Sequence, residues 1–241
     1  MKNYAIDQGN TFIKCATFLG DDLTGLKNWP LEEGSSEIAK LNDAPLIISS
    51  VSGNYDTYKS IFEDSAHKIL VLDHTTSLPI SNNYVSPKTL GMDRIAAVCG
   101  AKKLFPGNTC LVIDFGSCIT YDFIDAQGRF FGGAISPGLN MRFKEMHQFT
   151  DGLPFVEPMG SSDFVGFNTK DSMTSGVING IVGEIDRFMS WYTSKFENLK
   201  VLFCGGDSTR FESMIKAPIF AAPNLVLVGL NSILRHNEDS E

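Results

Sequence analysis

The chain has little of what the commonest binding and catalytic motifs require. Its five cysteines, Cys15, Cys99, Cys110, Cys118 and Cys204, are odd in number and form no C-x-x-C pair. That disfavours a disulfide frame and reads as reduced, buried packing residues. The four histidines, His67, His74, His147 and His236, are scattered without H-E-x-x-H or comparable spacing, so a zinc site lacks its ligands and any metal is expected on oxygen. No cationic run exceeds Lys102-Lys103 and the net charge is −8. This balance argues against a nucleic-acid surface, because neutralising phosphates needs clustered cations. No apolar run approaches membrane-spanning length, and the first residues carry no basic, apolar and small-residue signal pattern, so a cytoplasmic protein acting on small molecules is expected. A G-x-x-x-x-G-K-[ST] loop, a G-x-G-x-x-G fingerprint and a G-x-S-x-G elbow are all missing, which removes the two commonest nucleotide folds and makes serine chemistry a minor option.

What is present is ordinary in bulk and unusual in detail. With 241 residues, 43% hydrophobic and 20% charged, the chain can build one large or two modest cores. Two acidic hairpin signatures recur: Asp7-Gln8-Gly9-Asn10-Thr11 and Asp114-Phe115-Gly116-Ser117, each after an apolar run and before another strand. A single Asp-x-Gly is a common hairpin turn. Two copies in the same context point to a backbone that turns tightly beside a polyphosphate, where glycine removes a side chain from the approach path.

The pattern along the chain repeats as well. Strands are expected at Lys2–Gln8, Thr11–Leu19, Asp22–Lys27, Pro45–Ser50 and His67–Leu72, with helices at Ser35–Leu41 and Tyr55–Asp64 and a loop from Thr75 to Thr89. A helix begins near Met92 and stops at Pro106-Gly107-Asn108. The domain boundary is placed there, giving an N-terminal domain over 1–108 and a C-terminal domain over 109–241. The second half restarts with strands at Cys110–Phe115, Cys118–Asp125 and Arg129–Ile135 and a helix over Leu139–Gln148. Thr150–Asn168 is a candidate lid or binding loop. A long helix follows over Thr169–Phe196, then a strand at Lys200–Cys204 and a helix at Asn224–Arg235. Gly176, Gly180 and Gly183 weaken the long helix, so close backbone packing or a neighbouring ligand is expected to account for them.

Phosphoryl transfer asks a protein for charge neutralisation, in-line positioning and a proton acceptor. Asp7 and Asp114 are candidates to hold a hydrated Mg²⁺ or a monovalent cation, Gly9, Asn10, Thr11 and Ser117 to hydrogen-bond phosphate oxygens, and Lys14 to add a point charge. Asp93 by itself reads as a cap, an acidic residue in a first helical turn where the macrodipole favours it. Arg94 by itself reads as a surface residue.

Gly91-Met92-Asp93-Arg94, preceded by Tyr84 and Pro87, together with DQGNTFIK at 7–14, DFGSCITYD at 114–122 and GGAISPGL at 132–139, resembles the type III pantothenate kinases. The motifs fall in family order over nearly the whole chain. The resemblance implies an α/β fold of two similar ribonuclease H-like, actin/Hsp70-type domains, mixed sheets flanked by helices, closing around ATP. It implies an ATP- and Mg²⁺-dependent kinase that phosphorylates pantothenate to 4′-phosphopantothenate, the first step toward coenzyme A. It also implies a homodimer that needs a monovalent cation, K⁺ or NH₄⁺. On the same ground Asp93 is the catalytic proton acceptor, and Tyr84, Gly91, Met92, Asp93, Arg94 and Thr169 line the pantothenate pocket. Asp7, Gln8, Gly9, Asn10, Thr11, Phe12, Ile13, Lys14 and Ser117 contact ATP, and Asp114 is the cation ligand. The alternatives are another small-molecule kinase of the superfamily or a non-catalytic nucleotide-binding regulatory protein. The chain departs from the family pattern at Ser117 and Cys118, where Thr-Ala is usual, at Gln8, where an apolar residue is common, and at Cys204, where threonine is frequent.

Overall fold

The computed structural model describes residues 1–50, 58, 68–157 and 163–239. The helix expected at Tyr55–Asp64 and the middle of the 150–168 stretch lie outside the described residues, as does His67. The chain divides into two compact units, one made of Met1–Gly107, Ile124–Gly132 and Asn224–Glu241, the other of Asn108–Phe123 and Gly133–Pro223. These units are discontinuous in sequence, whereas the sequence pattern alone places one boundary after residue 108.

In the first unit β1 (Lys2–Gln8), β2 (Phe12–Leu19) and β3 (Asp22–Pro30) form an antiparallel meander, and β4 (Leu46–Ser50) and β5 (Ile69–Val71) extend it in parallel. The strand order is β3-β2-β1-β4-β5. Alternation of apolar residues along β1 and β2 puts Tyr4, Ile6, Ile13 and Cys15 into one core with Trp29, Ile38, Leu46 and Ile48,. Helix α1 (Leu31–Ile38) starts four residues before the expected Ser35. Pro30 fixes the entry dihedral and Glu32 and Glu33 sit in the first turn, where the helix dipole favours carboxylates,. Within the expected loop 75–89, the two-residue strand β6 (Ser81–Asn82) pairs with Arg129–Phe130 and a 3₁₀ turn covers Pro87–Thr89. So short a strand exists only through its partner.

Helix α2 (Met92–Leu104) packs against the last helix of the chain, α6 (Leu225–Glu238). A Cβ on Gly229 would lie 1.7 Å from the carbonyl oxygen of Ala96, so the two helix backbones touch. That contact places the C-terminal helix with the first unit.

The second unit repeats the plan. Strands β7 (Cys110–Phe115), β8 (Cys118–Ile124) and β9 (Arg129–Pro137) are joined by β10 (Lys200–Cys204) and β11 (Phe220–Ala221) in the order β11-β10-β7-β8-β9. Counted from its first strand, each unit has the order third, second, first, fourth, fifth, and in each the fourth strand runs parallel to the first. Between them come α3 (Leu139–Gln148), α4 (Thr169–Thr193) and the short α5 (Ser208–Glu212). Helix α4 buries Met173, Val177, Ile178, Ile181, Ile185 and Met189 in the core around Ile113, Phe115 and Tyr121. Of the two reasons expected for Gly176, Gly180 and Gly183, close packing is not seen among the described residues, where a Cβ on any of the three meets nothing within 4 Å. They lie on the exposed side of α4, away from the stripe that packs.

Candidate active site

Each unit presents its acidic hairpin at the end of its first strand. In the first unit Gln8 pairs with Ile13 and Asp7 with Lys14, and Gly9 N–H donates to the Phe12 carbonyl at 3.1 Å. The turn is therefore Gly9-Asn10-Thr11, with Asn10 and Thr11 exposed. On its other edge β1 sets Asp7 beside Ser49 and Gln8 beside Ser50. Gln8 is buried, and its Oε1 accepts from Ser50 Oγ at 2.8 Å and Tyr58 Oη at 2.5 Å. The polar residue at this position thus anchors the hairpin. Ile13 is a core side chain and Phe12 is exposed, so within 7–14 Ile13 has only its backbone to offer a ligand.

The first unit also carries the Gly91–Arg94 segment. Gly91 caps α2 in extended conformation, and Asp93 folds back so that its Oδ1 accepts from the Arg94 N–H at 2.9 Å. A Cβ on Gly91 would lie 2.3 Å from that same Oδ1. The glycine is what lets the carboxylate occupy the helix entrance. Arg94, only 6% exposed, sets its guanidinium 5.7 Å from the centre of the Tyr84 ring, which stacks on Phe130 at 6.2 Å. Gly132 leaves the room for Tyr84, since a Cβ there would come within 2.6 Å of the ring. Burial of an arginine against an aromatic face is the opposite of the surface role its position alone suggested. Tyr84, Gly91, Met92, Asp93 and Arg94 are thus brought to one end of α2.

In the second unit the turn Gly116-Ser117 joins β7 to β8, with Gly116 N–H donating to the Cys118 carbonyl at 3.1 Å. A two-residue connection makes this pair antiparallel. Asp114 is opposite Cys204 on β10, whose thiol donates to its Oδ2 at 3.3 Å. The other oxygen, Oδ1, is flanked by glycines: a Cβ on Gly116 or Gly205 would lie 3.3 or 2.6 Å from it. Gly205 also holds φ of +90°, a conformation that L side chains rarely adopt,. Asp207 N–H closes the same corner on the Phe115 carbonyl at 3.2 Å, and burial pushes the Asp207 carboxyl up. Oδ1 of Asp114 is an oxygen donor of the kind a hard cation takes. Gly138 backs the turn, its N–H donating to the Ser117 carbonyl at 3.2 Å. Thr169 is the exposed first residue of α4, whose cap Asn168 accepts from Asp171 N–H at 3.0 Å.

Sequence reasoning missed the Cys204–Asp114 bond, the approach of Gly205 to Asp114 and the tie of Gly138 to Ser117. Only the adjacent Gly-Gly and Pro-Gly pairs hinted that backbones crowd there. Among the described residues, no group of three or more His, Cys, Asp or Glu side chains is arranged to hold a metal, and no helix is long and apolar enough to cross a membrane.

The family model for type III pantothenate kinase matches residues 3–190. A type III pantothenate kinase of Christiangramia forsetii is 41% identical over 240 residues, covering 98% of this chain and 99% of its own. That of Cytophaga hutchinsonii is 39% identical over 236 residues, covering 98% and 99%. Among solved structures, a Campylobacter jejuni protein described as a Baf family transcriptional activator superposes with a TM-score of 0.66 at 19% identity, covering 98% of this chain and 99% of its own. A Listeria monocytogenes protein described as an N-acetylmannosamine kinase gives 0.61 at 14%, covering 99% and 100%. These likenesses identify the two mixed sheets with flanking helices as an actin-like fold. The chain belongs to the type III pantothenate kinase family.

Proposed function

We infer that the protein transfers the γ-phosphoryl group of ATP to the primary hydroxyl of pantothenate, yielding 4′-phosphopantothenate and ADP at the entry to coenzyme A synthesis. The observation that carries this reading is the pairing at the start of α2. There a glycine lets the Asp93 carboxylate cover the helix entrance, next to an arginine buried against Tyr84. Asp93 accepts the hydroxyl proton as the oxygen bonds to phosphorus and the bond to ADP breaks. Arg94 receives the pantothenate carboxylate with its planar fork, and Tyr84, Gly91, Met92 and Thr169 complete the pocket. Residues 7–14 and Ser117 hold the nucleotide through turn amides and hydroxyls. Asp114 carries the monovalent cation, and Mg²⁺, bound with the nucleotide, supplies charge neutralisation on the phosphates.

A coupled assay of ADP release with ATP, Mg²⁺ and pantothenate, run with and without K⁺, tests the reading. Pantothenate-dependent release that K⁺ stimulates is expected, and Asp93→Asn should lower kcat by about 10²- to 10⁴-fold with binding retained. Absence of pantothenate-dependent ADP in the wild type refutes the activity, and near-normal turnover of Asp93→Asn removes that residue from it. The family resemblance further implies a cytoplasmic homodimer, which a light-scattering mass checks.

A further inference from the structure

Glu184 lies about four turns along α4 from Thr169 and none of the motifs includes it. Its Oε1 accepts from Tyr121 Oη at 2.7 Å and from Ser136 Oγ at 2.5 Å, and its Oε2 accepts from Arg142 Nη2 at 2.7 Å. One carboxylate therefore joins β8, β9, α3 and α4. Burial alone would push this carboxyl up, but the bonds from Ser136, Arg142 and Tyr121 outweigh it and hold the group below the usual range, so it is charged at neutral pH.

The network continues toward the turn. Arg142 Nε donates to the Pro137 carbonyl at 2.8 Å. The next residue, Gly138, donates its N–H to the Ser117 carbonyl at 3.2 Å, and a Cβ on Gly138 would lie 2.4 Å from that oxygen and 2.6 Å from the carbonyl oxygen of Gly116. The segment Ser136–Gly138 is thus clamped on one side by Glu184 and Arg142 and pressed on the other against Gly116-Ser117. A glutamine in place of Glu184 keeps one acceptor oxygen but turns an amide N–H₂ toward donors on every side.

We propose that Glu184 is a positioning residue for nucleotide binding, fixing the Gly116-Ser117 turn through Ser136, Arg142 and the Pro137-Gly138 backbone. The inference rests on the reading of Ser117 as a phosphate contact given above. An ion pair whose side chains are still 20% and 23% exposed adds only modest stability of itself,. The arrangement is explained by the geometry it imposes on the turn.

The test titrates Mg²⁺-ATP into wild type, Glu184→Gln, Arg142→Lys and Tyr121→Phe by calorimetry. It also measures both KM values and the thermal midpoint. The Kd and KM for ATP should rise roughly tenfold in Glu184→Gln and less in Tyr121→Phe. The pantothenate KM should stay within about twofold, since the Gly91–Arg94 segment belongs to the other unit and Thr169 lies about four turns along α4 from Glu184. Arg142→Lys keeps the charge but loses the bond to Pro137, so its effect should be of the same kind and less than multiplicative with Glu184→Gln. A purely structural role would lower the midpoint and the active fraction with both KM values unchanged, and that result, or an equal rise in both, overturns the proposal. Should Glu184→Gln fail to fold, Tyr121→Phe, which removes a single hydroxyl, shows the same split or overturns it. Wild type that binds ATP without phosphorylating pantothenate defeats the kinase reading and leaves the Glu184 test standing, whereas wild type that does not bind ATP ends both.

Discussion

Gly91→Ala separates catalysis from stability. The new Cβ would fall 2.3 Å from Asp93 Oδ1, while ordinary contact begins near 3.4 Å. The carboxylate must therefore retreat by about 1 Å or change rotamer. Gly91 has φ −62° and ψ 136°, so the backbone accepts alanine without strain. Loss of unfolded-state freedom favours alanine by about 0.4–1 kcal/mol. Against this stands the bond from the Arg94 N–H to Asp93, about 1–2 kcal/mol, so the net change stays within about 1.5 kcal/mol. For a chain of this size that moves Tm by no more than about 6 °C. A misplacement of about 1 Å at a reacting group costs about 10²-fold in rate. Steady-state kinetics beside a thermal melt should accordingly show kcat down about a hundredfold in a protein that melts almost as wild type does. A kcat within roughly threefold of wild type would show that the observed seat of the Asp93 carboxylate has no part in turnover.

Other outcomes follow from the same geometry. Arg94→Lys keeps the charge but loses the planar fork and its stacking on Tyr84, so the pantothenate KM should rise at least about tenfold with kcat changed less; an unchanged KM removes the carboxylate-binding role. Gly229→Ala forces a methyl group into the Ala96 carbonyl, where neither helix backbone can yield cheaply. It should lower stability by at least about 2 kcal/mol, or about 4–8 °C in Tm, despite alanine's better helix propensity; a neutral melt would show that α2 and α6 do not touch as described. Glu184 has a folded pKa below its usual 4.5. A depressed carboxylate contributes stability that is complete above its unfolded value and is lost as pH falls through the folded one. Between about pH 6 and pH 3.5 the melting temperature of wild type should therefore fall more steeply than that of Glu184→Gln, and parallel curves would contradict the assignment.

The strand ends and their chemistry were legible in the sequence because local rules govern them. The alternation in Lys2–Gln8 and the apolar run before Asp114 fix strands, and Asp-x-Gly fixes the turn that follows. Helix starts at Met92, Leu139 and Thr169 show likewise in glycine, asparagine and apolar periodicity,. Strands β6 and β11 carry no such signal, because two residues hold no period and only a neighbour defines them,.

Sequence by itself determined that this chain has two similar halves, an acid at the end of the first strand of each, and a Gly-x-Asp-Arg segment at a helix start. Tertiary structure decided that the C-terminal helix returns to the first half, because Gly229 admits the Ala96 carbonyl. It decided too that Arg94 is buried under Tyr84 and that Glu184 gathers donors from three other elements. These are contacts between residues far apart in the chain, and neither propensity nor periodicity, which act over a few residues, can encode them.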